Sequence, residues 1–177
     1  MGSRRTGMQD GVIRPYRPED LERLQRITMD AFGPVSIDRN IEQRYGIING
    51  VDWRARKADH IRLDAEREPE GIFVLVVDDV VVGYITCWCN RLAGIGNIPN
   101  LAIDVDFRGQ GFGRRLIEHA LRYFSEQCMT HARIETLDQN EVGKTLYPSL
   151  GFEEVARQVH YCMELPSVED AGGDPSI

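Results

Sequence analysis

Apolar residues recur along this chain with two different periods, and the switches between them mark its elements. Phe112, Leu116, Ile117, Ala120, Leu121 and Phe124 fall on one face of a helix. Leu21, Leu24, Thr28 and Ala31 do the same after Pro18, where a proline followed by Glu19 and Asp20 favours a helix start. Residues 72–77 and 80–89 are instead β-rich runs parted by Asp78 and Asp79, a pair that tolerates the positive φ of a tight hairpin. Further strands are predicted at 12–16, 95–103 and 133–137, with a final strand or strand pair over 151–165. Helices are predicted at 36–49, at 52–68 with Asp52 as cap and Pro69 as stop, and at 140–150. Helices mixed with a mostly antiparallel sheet give an α+β fold.

The 177 residues are 42% apolar, enough for one sizeable core, and no repeat or low-complexity linker interrupts them. One domain over 11–165 is expected, with loose ends at 1–10 and 166–177. The formal charge is −7, from 28 acidic and 21 basic residues, which argues against a nucleic acid partner and permits a cationic one. No apolar run approaches the roughly 20 residues of a membrane span, and no apolar segment follows Arg4 and Arg5, so no membrane association and a cytoplasmic location are expected. Cys87, Cys89, Cys128 and Cys162 form no C-x-x-C pair and have no metal-ligand spacing with histidine; free thiols and no metal are expected. A homodimer is left open.

Candidate chemistry begins at the turn before the 112–124 helix, Arg108-Gly109-Gln110-Gly111-Phe112-Gly113-Arg114. Backbone N–H groups at a helix start, unobstructed by Cβ atoms at three glycines, can form a nest around a pyrophosphate, with Arg108 and Arg114 at its rim. A P-loop is excluded because Gly-Lys-Ser/Thr is absent, and a dinucleotide fingerprint because Arg114 stands where glycine is needed.

The run Leu101-Ala102-Ile103-Asp104-Val105-Asp106-Phe107-Arg108-Gly109-Gln110-Gly111-Phe112-Gly113 resembles motif A of the GNAT N-acetyltransferase superfamily. Asn140 followed by Leu146-Tyr147-Pro148-Ser149-Leu150-Gly151-Phe152 resembles its motif B. The likeness covers residues 73–161, is closest to the ribosomal-protein alanine N-acetyltransferase branch, and does not reach 36–68. It implies that acetyl-CoA is the co-substrate, that the main chain of Leu101, Ala102 and Ile103 holds the pantetheine arm, and that Gly109 to Arg114 form the pyrophosphate loop. Asn140 matches an asparagine that contacts the cofactor arm and is equally suited to N-cap the following helix. Val105 departs from the proline often found at its position, without removing any needed donor.

Acetyl transfer to nitrogen needs an uncharged amine, donors for the oxyanion and a proton for the departing thiolate. Tyr147 is the candidate acid. Glu135 is the candidate base, matching the glutamate twelve residues before that tyrosine in the alanine N-acetyltransferases; on an interior strand its carboxylate needs a partner or a task, and Arg133 on the same face is a competing partner. Asn97 stands where other GNAT enzymes carry a glutamate and is suited to orienting a water. Asp104 is read as a cap of the glycine turn. His119 and His131 are read as solvated surface residues. The acceptor is expected to be a protein or peptide α-amine, whose pKa near 8 leaves more free base than a lysine. A small-molecule amine (polyamine, aminoglycoside or amino acid) and a non-catalytic acyl-CoA sensor are the alternatives, and residues 36–68 are expected to form the wall that decides.

Overall fold

The protein is described here by a computed structural model covering residues 10–166. Five strands form one sheet in the order β1 (Val12–Pro15), β2 (Ile72–Val77), β3 (Val80–Asn90), β4 (Ile95–Ile103) and β5 (His131–Ile134). The first four are antiparallel neighbours, and β5 lies parallel to β4. Asp78 (φ 48°) and Asp79 (φ 63°) make the β2–β3 hairpin turn that their side chains favour.

Helices cover both faces. On one, α1 (Leu21–Ala31) and α3 (Trp53–Arg67) place Leu24, Ile27 and Ile61 on Ile72, Val74, Tyr84 and Ala102. Thr28 belongs to this apolar stripe because its hydroxyl donates to Leu24 O and pairs with the buried Tyr84 Oη at 2.6 Å, so neither polar atom is stranded. On the other face, α4 (Phe112–Glu126) packs Phe112, Leu116, Ile117, Ala120 and Phe124 against Leu75, Ile85, Cys87 and Ile98. The helix α2 (Ile37–Tyr45) is capped by Ser36, α3 by Asp52 through Ala55 N at 2.9 Å, and α5 (Glu141–Leu146) by Asn140.

Four expectations are corrected. The helix expected at 36–49 stops at Tyr45, because Gly46 (φ 76°), Asn49 (φ 53°) and Gly50 (φ 71°) turn the chain out of helical space. The strand expected at 133–137 runs from His131 to Ile134, so Glu135 lies just beyond it and not on an interior strand. Residues 152–165 pair with no strand among the described residues. His119 is half-buried, its ring edge-on to Phe73 at 4.4 Å, and burial followed by the Arg122 charge holds its pKa below the ordinary imidazole value; it is not a solvated surface residue. The expected loose ends lie outside the described residues, except Asp10 and Pro166. No helix among the described residues is long and apolar enough to cross a membrane.

The close approach of α4 to β4 is set by Gly96, where an added Cβ would lie 2.3 Å from the Phe124 ring. Gly96→Ala is therefore expected to destabilise the fold by about 1–3 kcal/mol, an overpacking cost. The increment should shrink when it is introduced into Phe124→Leu, because the two changes compete for one space. Urea denaturation of the four proteins measures both terms.

Candidate active site

The site is built where β4 loses one neighbour. Its pairing with β5 runs from Ile95 opposite His131 to Ile98 opposite Ile134 and then stops, whereas its pairing with β3 continues to Ile103. Between the pairs Trp88–Asn97 and Thr86–Asn100, two residues of β4, Ile98 and Pro99, stand opposite the single Cys87, which defines a β-bulge. The bulge shifts the side-chain phase. Before it, Gly96 and Ile98 face α4; after it, Leu101 and Ile103 do, while Asn100 and Ala102 face α1 and α3.

The backbone alternates in step. Asp104 N donates to Val82 O at 2.8 Å, so by the period of two Ala102 turns its main-chain groups toward β3 and Leu101 and Ile103 turn theirs outward. No strand flanks that outward edge among the described residues, and Arg108 Nε reaches back to Ile103 O at 3.1 Å. Of Leu101, Ala102 and Ile103, the first and last therefore turn their main chain away from β3 and Ala102 turns its own toward it.

The glycine turn follows directly. Asp104 accepts from Asp106 N at 3.1 Å, capping the turn as its sequence position predicts, and is itself held by Arg23 at 2.5 Å. Gly109 (φ 76°) and Gly111 (φ 78°) occupy left-handed backbone that other residues adopt at a cost, with no protein atom near either absent Cβ. Gly111 is the N-cap of α4, so the N–H groups of Phe112, Gly113 and Arg114 start the helix without carbonyl partners of their own. Arg114 is drawn aside to Ser149, its Nη2 2.6 Å from Ser149 Oγ. Amide and guanidinium donors of this kind suit an anion.

Glu135, Arg133 and Asn97 come together with Trp88, Ile98 and Pro99 around a cleft of about 160 Å³ on the α3 side of the parting. Arg133 pairs with Glu135 at 3.1 Å, and their side chains are 54% and 67% exposed. The argument that a buried carboxylate demands a task does not apply to a carboxylate this open. Asn97 is buried and donates to Ile95 O at 3.1 Å.

Tyr147 lies outside the lining of that cleft, over Gly143, where an added Cβ would lie 2.8 Å from its ring. Burial raises its pKa above that of a free tyrosine, offset in part by the Thr136 hydroxyl. Asn140 donates to Thr136 Oγ1 at 2.8 Å and accepts from Gly143 N at 3.1 Å. Thr136, the residue after Glu135, thus meets both the tyrosine and the helix cap.

One group was not anticipated from the sequence. Asp64 Oδ2 accepts from Thr86 Oγ1 at 2.8 Å and from Asn100 Nδ2 at 2.7 Å, and Asn100 Oδ1 accepts from Lys57 Nζ at 2.8 Å. Burial holds the Lys57 ammonium below the ordinary lysine pKa, against the pull of Asp38 and Asp64. This network fixes β4 immediately before Leu101. Asp64 and Lys57 lie on the polar-looking α3, seven residues apart and hence on one helix face, a signal that the apolar periodicity alone does not use.

Comparison with known proteins agrees with this fold. The family description "Acetyltransferase (GNAT) domain" matches residues 68–154. An uncharacterized N-acetyltransferase of Archaeoglobus fulgidus is 33% identical over 145 residues, covering 79% of this chain and 87% of that protein. The [Ribosomal protein bS18]-alanine N-acetyltransferase of Escherichia coli is 33% identical over 72 residues, covering 41% of this chain; the chain thus spans about half the length (49%) of that relative. The PaiA N-acetyltransferase of Thermoplasma acidophilum, solved in complex with coenzyme A, superposes with a TM-score of 0.66 at 19% identity, covering 81% of this chain and 90% of that one. The chain belongs to the GNAT acetyltransferase family.

Asp64→Ala removes the acceptor shared by two buried side chains and is expected to lower stability by about 1–3 kcal/mol, the cost of leaving such donors unpaired. Asp64→Asn keeps one acceptor oxygen and should lose less. Chemical denaturation of the two variants checks the order.

Proposed function

We propose that this protein transfers the acetyl group of acetyl-CoA to a primary amine, and that the acceptor is the α-amine of a protein or peptide. The observation that carries the reading is the outward edge of Leu101 and Ile103 running into the Gly109–Gly111 turn and the start of α4: an extended line of donors and acceptors that ends in an anion nest. A pantetheine arm with its pyrophosphate has that shape and chemistry. The family supports an acyl-CoA donor, and the coenzyme A held by the PaiA structure supports it further. The α-amine is favoured by the ribosomal-protein alanine acetyltransferase relative and by the chemistry of the cleft, since a weakly basic amine needs little help to lose its proton.

In this reading the amine nitrogen attacks the thioester carbonyl from the cleft side, forming the C–N bond as the C–S bond breaks. Glu135, directly or through a water oriented by Asn97, takes the proton that the nitrogen sheds. Tyr147 gives its proton to the departing thiolate; its raised pKa keeps that proton in place at neutral pH. Arg108, Gln110 and Arg114 rim the phosphate nest, whose backbone comes from Gly109 to Arg114, and Asn140 holds the segment that carries Thr136 and Tyr147.

The direct test is release of free coenzyme A thiol when acetyl-CoA is mixed with a panel of peptides and small amines. Release with peptides bearing a free N-terminus, and none with the same peptides blocked there, supports the α-amine; release with polyamines or aminoglycosides alone replaces it with the small-molecule reading. Acetyl-CoA binding with no release on any acceptor leaves a sensor.

Two variants probe the proton path. Tyr147→Phe should lower kcat by about 10²-fold with the Kd for acetyl-CoA little changed, the range for a general acid; unchanged turnover would give that proton to water. Glu135→Gln should lose most of its kcat/KM at neutral pH and recover part of it at pH 9.5, where more acceptor is already uncharged. A ratio to the parent that stays flat from pH 6 to 9.5 would remove Glu135 from the reaction and leave it as the partner of Arg133.

A further inference from the structure

Three strands lay a row of side chains across the floor of the cleft. Trp88 of β3 stands opposite Asn97 of β4, and Asn97 opposite Arg133 of β5, so the three share one face of the sheet. Glu135 follows two residues after Arg133, and all four line the cleft with Ile98 and Pro99. Arg67, the last residue of α3, lays its guanidinium over the Trp88 ring, 3.7 Å from its centroid.

The charge here runs against that of the whole chain. The protein carries a formal −7, yet two guanidinium groups and one carboxylate stand in or against this cleft. Among the described residues Arg133 meets one carboxylate, Glu135, at 3.1 Å, and the pair is more than half exposed. An ion pair this open adds little to stability, because water competes for both partners. It is easily opened for the same reason, and a ligand that brings both charges replaces both halves of it. A polyamine or an aminoglycoside brings only cations, which take Glu135 and leave Arg133 facing like charge. A residue that carries an ammonium and a carboxylate matches the pair: its ammonium replaces the Arg133 guanidinium at Glu135, and its carboxylate replaces that of Glu135 at Arg133. At about 160 Å³ the cleft is well below the roughly 300–1,000 Å³ of a pocket that encloses a whole ligand, and it suits the first residue of a chain whose remainder lies outside.

We propose that Arg133 is a specificity-determining carboxylate site, and that the preferred acceptor bears a carboxylate on the same residue as its α-amine: an aspartate or glutamate at the N-terminus of a peptide. The inference rests on the reading of the cleft as the acceptor site and narrows the acceptor from any α-amine to an acidic one. A guanidinium presents two parallel N–H groups to a carboxylate, so Arg133 fixes direction as well as charge. With the carboxylate held there, the amine stays on the Glu135 side of the cleft. A free amino acid carries the same two charges, and its own α-carboxylate is the other source of this chemistry.

Equilibrium binding and turnover test the site separately. Isothermal titration into the full chain saturated with coenzyme A compares peptides that differ only in their first residue: Asp, Asn, Glu, Gln, Ala and Lys. The Asp and Glu peptides should bind about 10-fold more tightly than the Asn and Gln peptides, the range of a hydrogen bond between charged groups. That ratio should shrink toward one in Arg133→Met, keep part of its size in Arg133→Lys, and turn in favour of the Lys peptide in Arg133→Glu. A retained thermal shift with acetyl-CoA shows that each variant has folded. Equal binding of the Asp and Asn peptides, or no binding of any peptide, overturns the proposal. So does a preference that survives Arg133→Met, because the carboxylate is then held elsewhere. Free aspartate or alanine that binds as tightly as the Asp peptide supports the Arg133 site and overturns the peptide as its source. Release of coenzyme A thiol from acetyl-CoA is read on the same series. Asp peptides that bind with this preference and are never acetylated contradict the transfer reading and leave the Arg133 site standing.

Discussion

A strand held on both sides cannot offer its backbone to anything else, and β4 is held on both sides only as far as Ile98. Pro99 has no N–H to give a ladder, and the bulge it shares with Ile98 turns the strand's phase by one residue. Beyond that point β3 still grips β4, but β5 does not follow. Everything the site requires comes from this parting: the outward main chain of Leu101 and Ile103, the cleft between Asn97 and Glu135, and a path for an extended ligand toward the start of α4. The cost of an unpaired edge in the middle of a sheet is offset by what fixes it from behind. Asp64, Thr86, Asn100 and Lys57 close a hydrogen-bonded network on the α3 side, and the Phe124 ring fills the space over Gly96 on the other.

The division of electrostatic labour follows the same line. At the glycine turn the donors are the backbone N–H groups that open α4, and Arg108 and Arg114 are turned to the neighbouring oxygens of Ile103 and Ser149. On the other side of the parting the ionisable groups are an exposed ion pair, Arg133 with Glu135, and a half-buried phenol, Tyr147. A phenol with a raised pKa is suited to hold a proton.

Much of the architecture was legible in the sequence because its signals are local. The 112–124 stripe, the Asp78-Asp79 hairpin and the caps Asp52 and Asn140 each depend on a few adjacent residues, and each is found in place. The glycine turn was legible for the same reason: its left-handed φ values at 109 and 111 are what glycine is for. The bulge was signalled by Pro99 in an otherwise regular strand, but its consequence, a change of phase, depends on the register with β3 and is not local. The network at Asn100 joins residues 36 and 43 positions apart in sequence and has no periodic signature. The burial expected for Glu135 failed because the strand stops one residue earlier, at the edge of the sheet, and length and edge position are decided by neighbours. The strand or strand pair expected over 151–165 pairs with no strand among the described residues, because alternation alone does not supply a neighbouring strand.

The central claim is that the outward edge of β4 past Pro99 receives an extended acyl-CoA. Residue-resolved hydrogen exchange by NMR, with and without acetyl-CoA at saturating concentration, measures it directly. The account predicts that the amides of Leu101 and Ile103 slow on binding, together with those of Phe112 and Gly113, while the Ala102 amide, already turned to β3, changes little. Acetyl-CoA that binds and leaves the exchange of Leu101 and Ile103 untouched would contradict it.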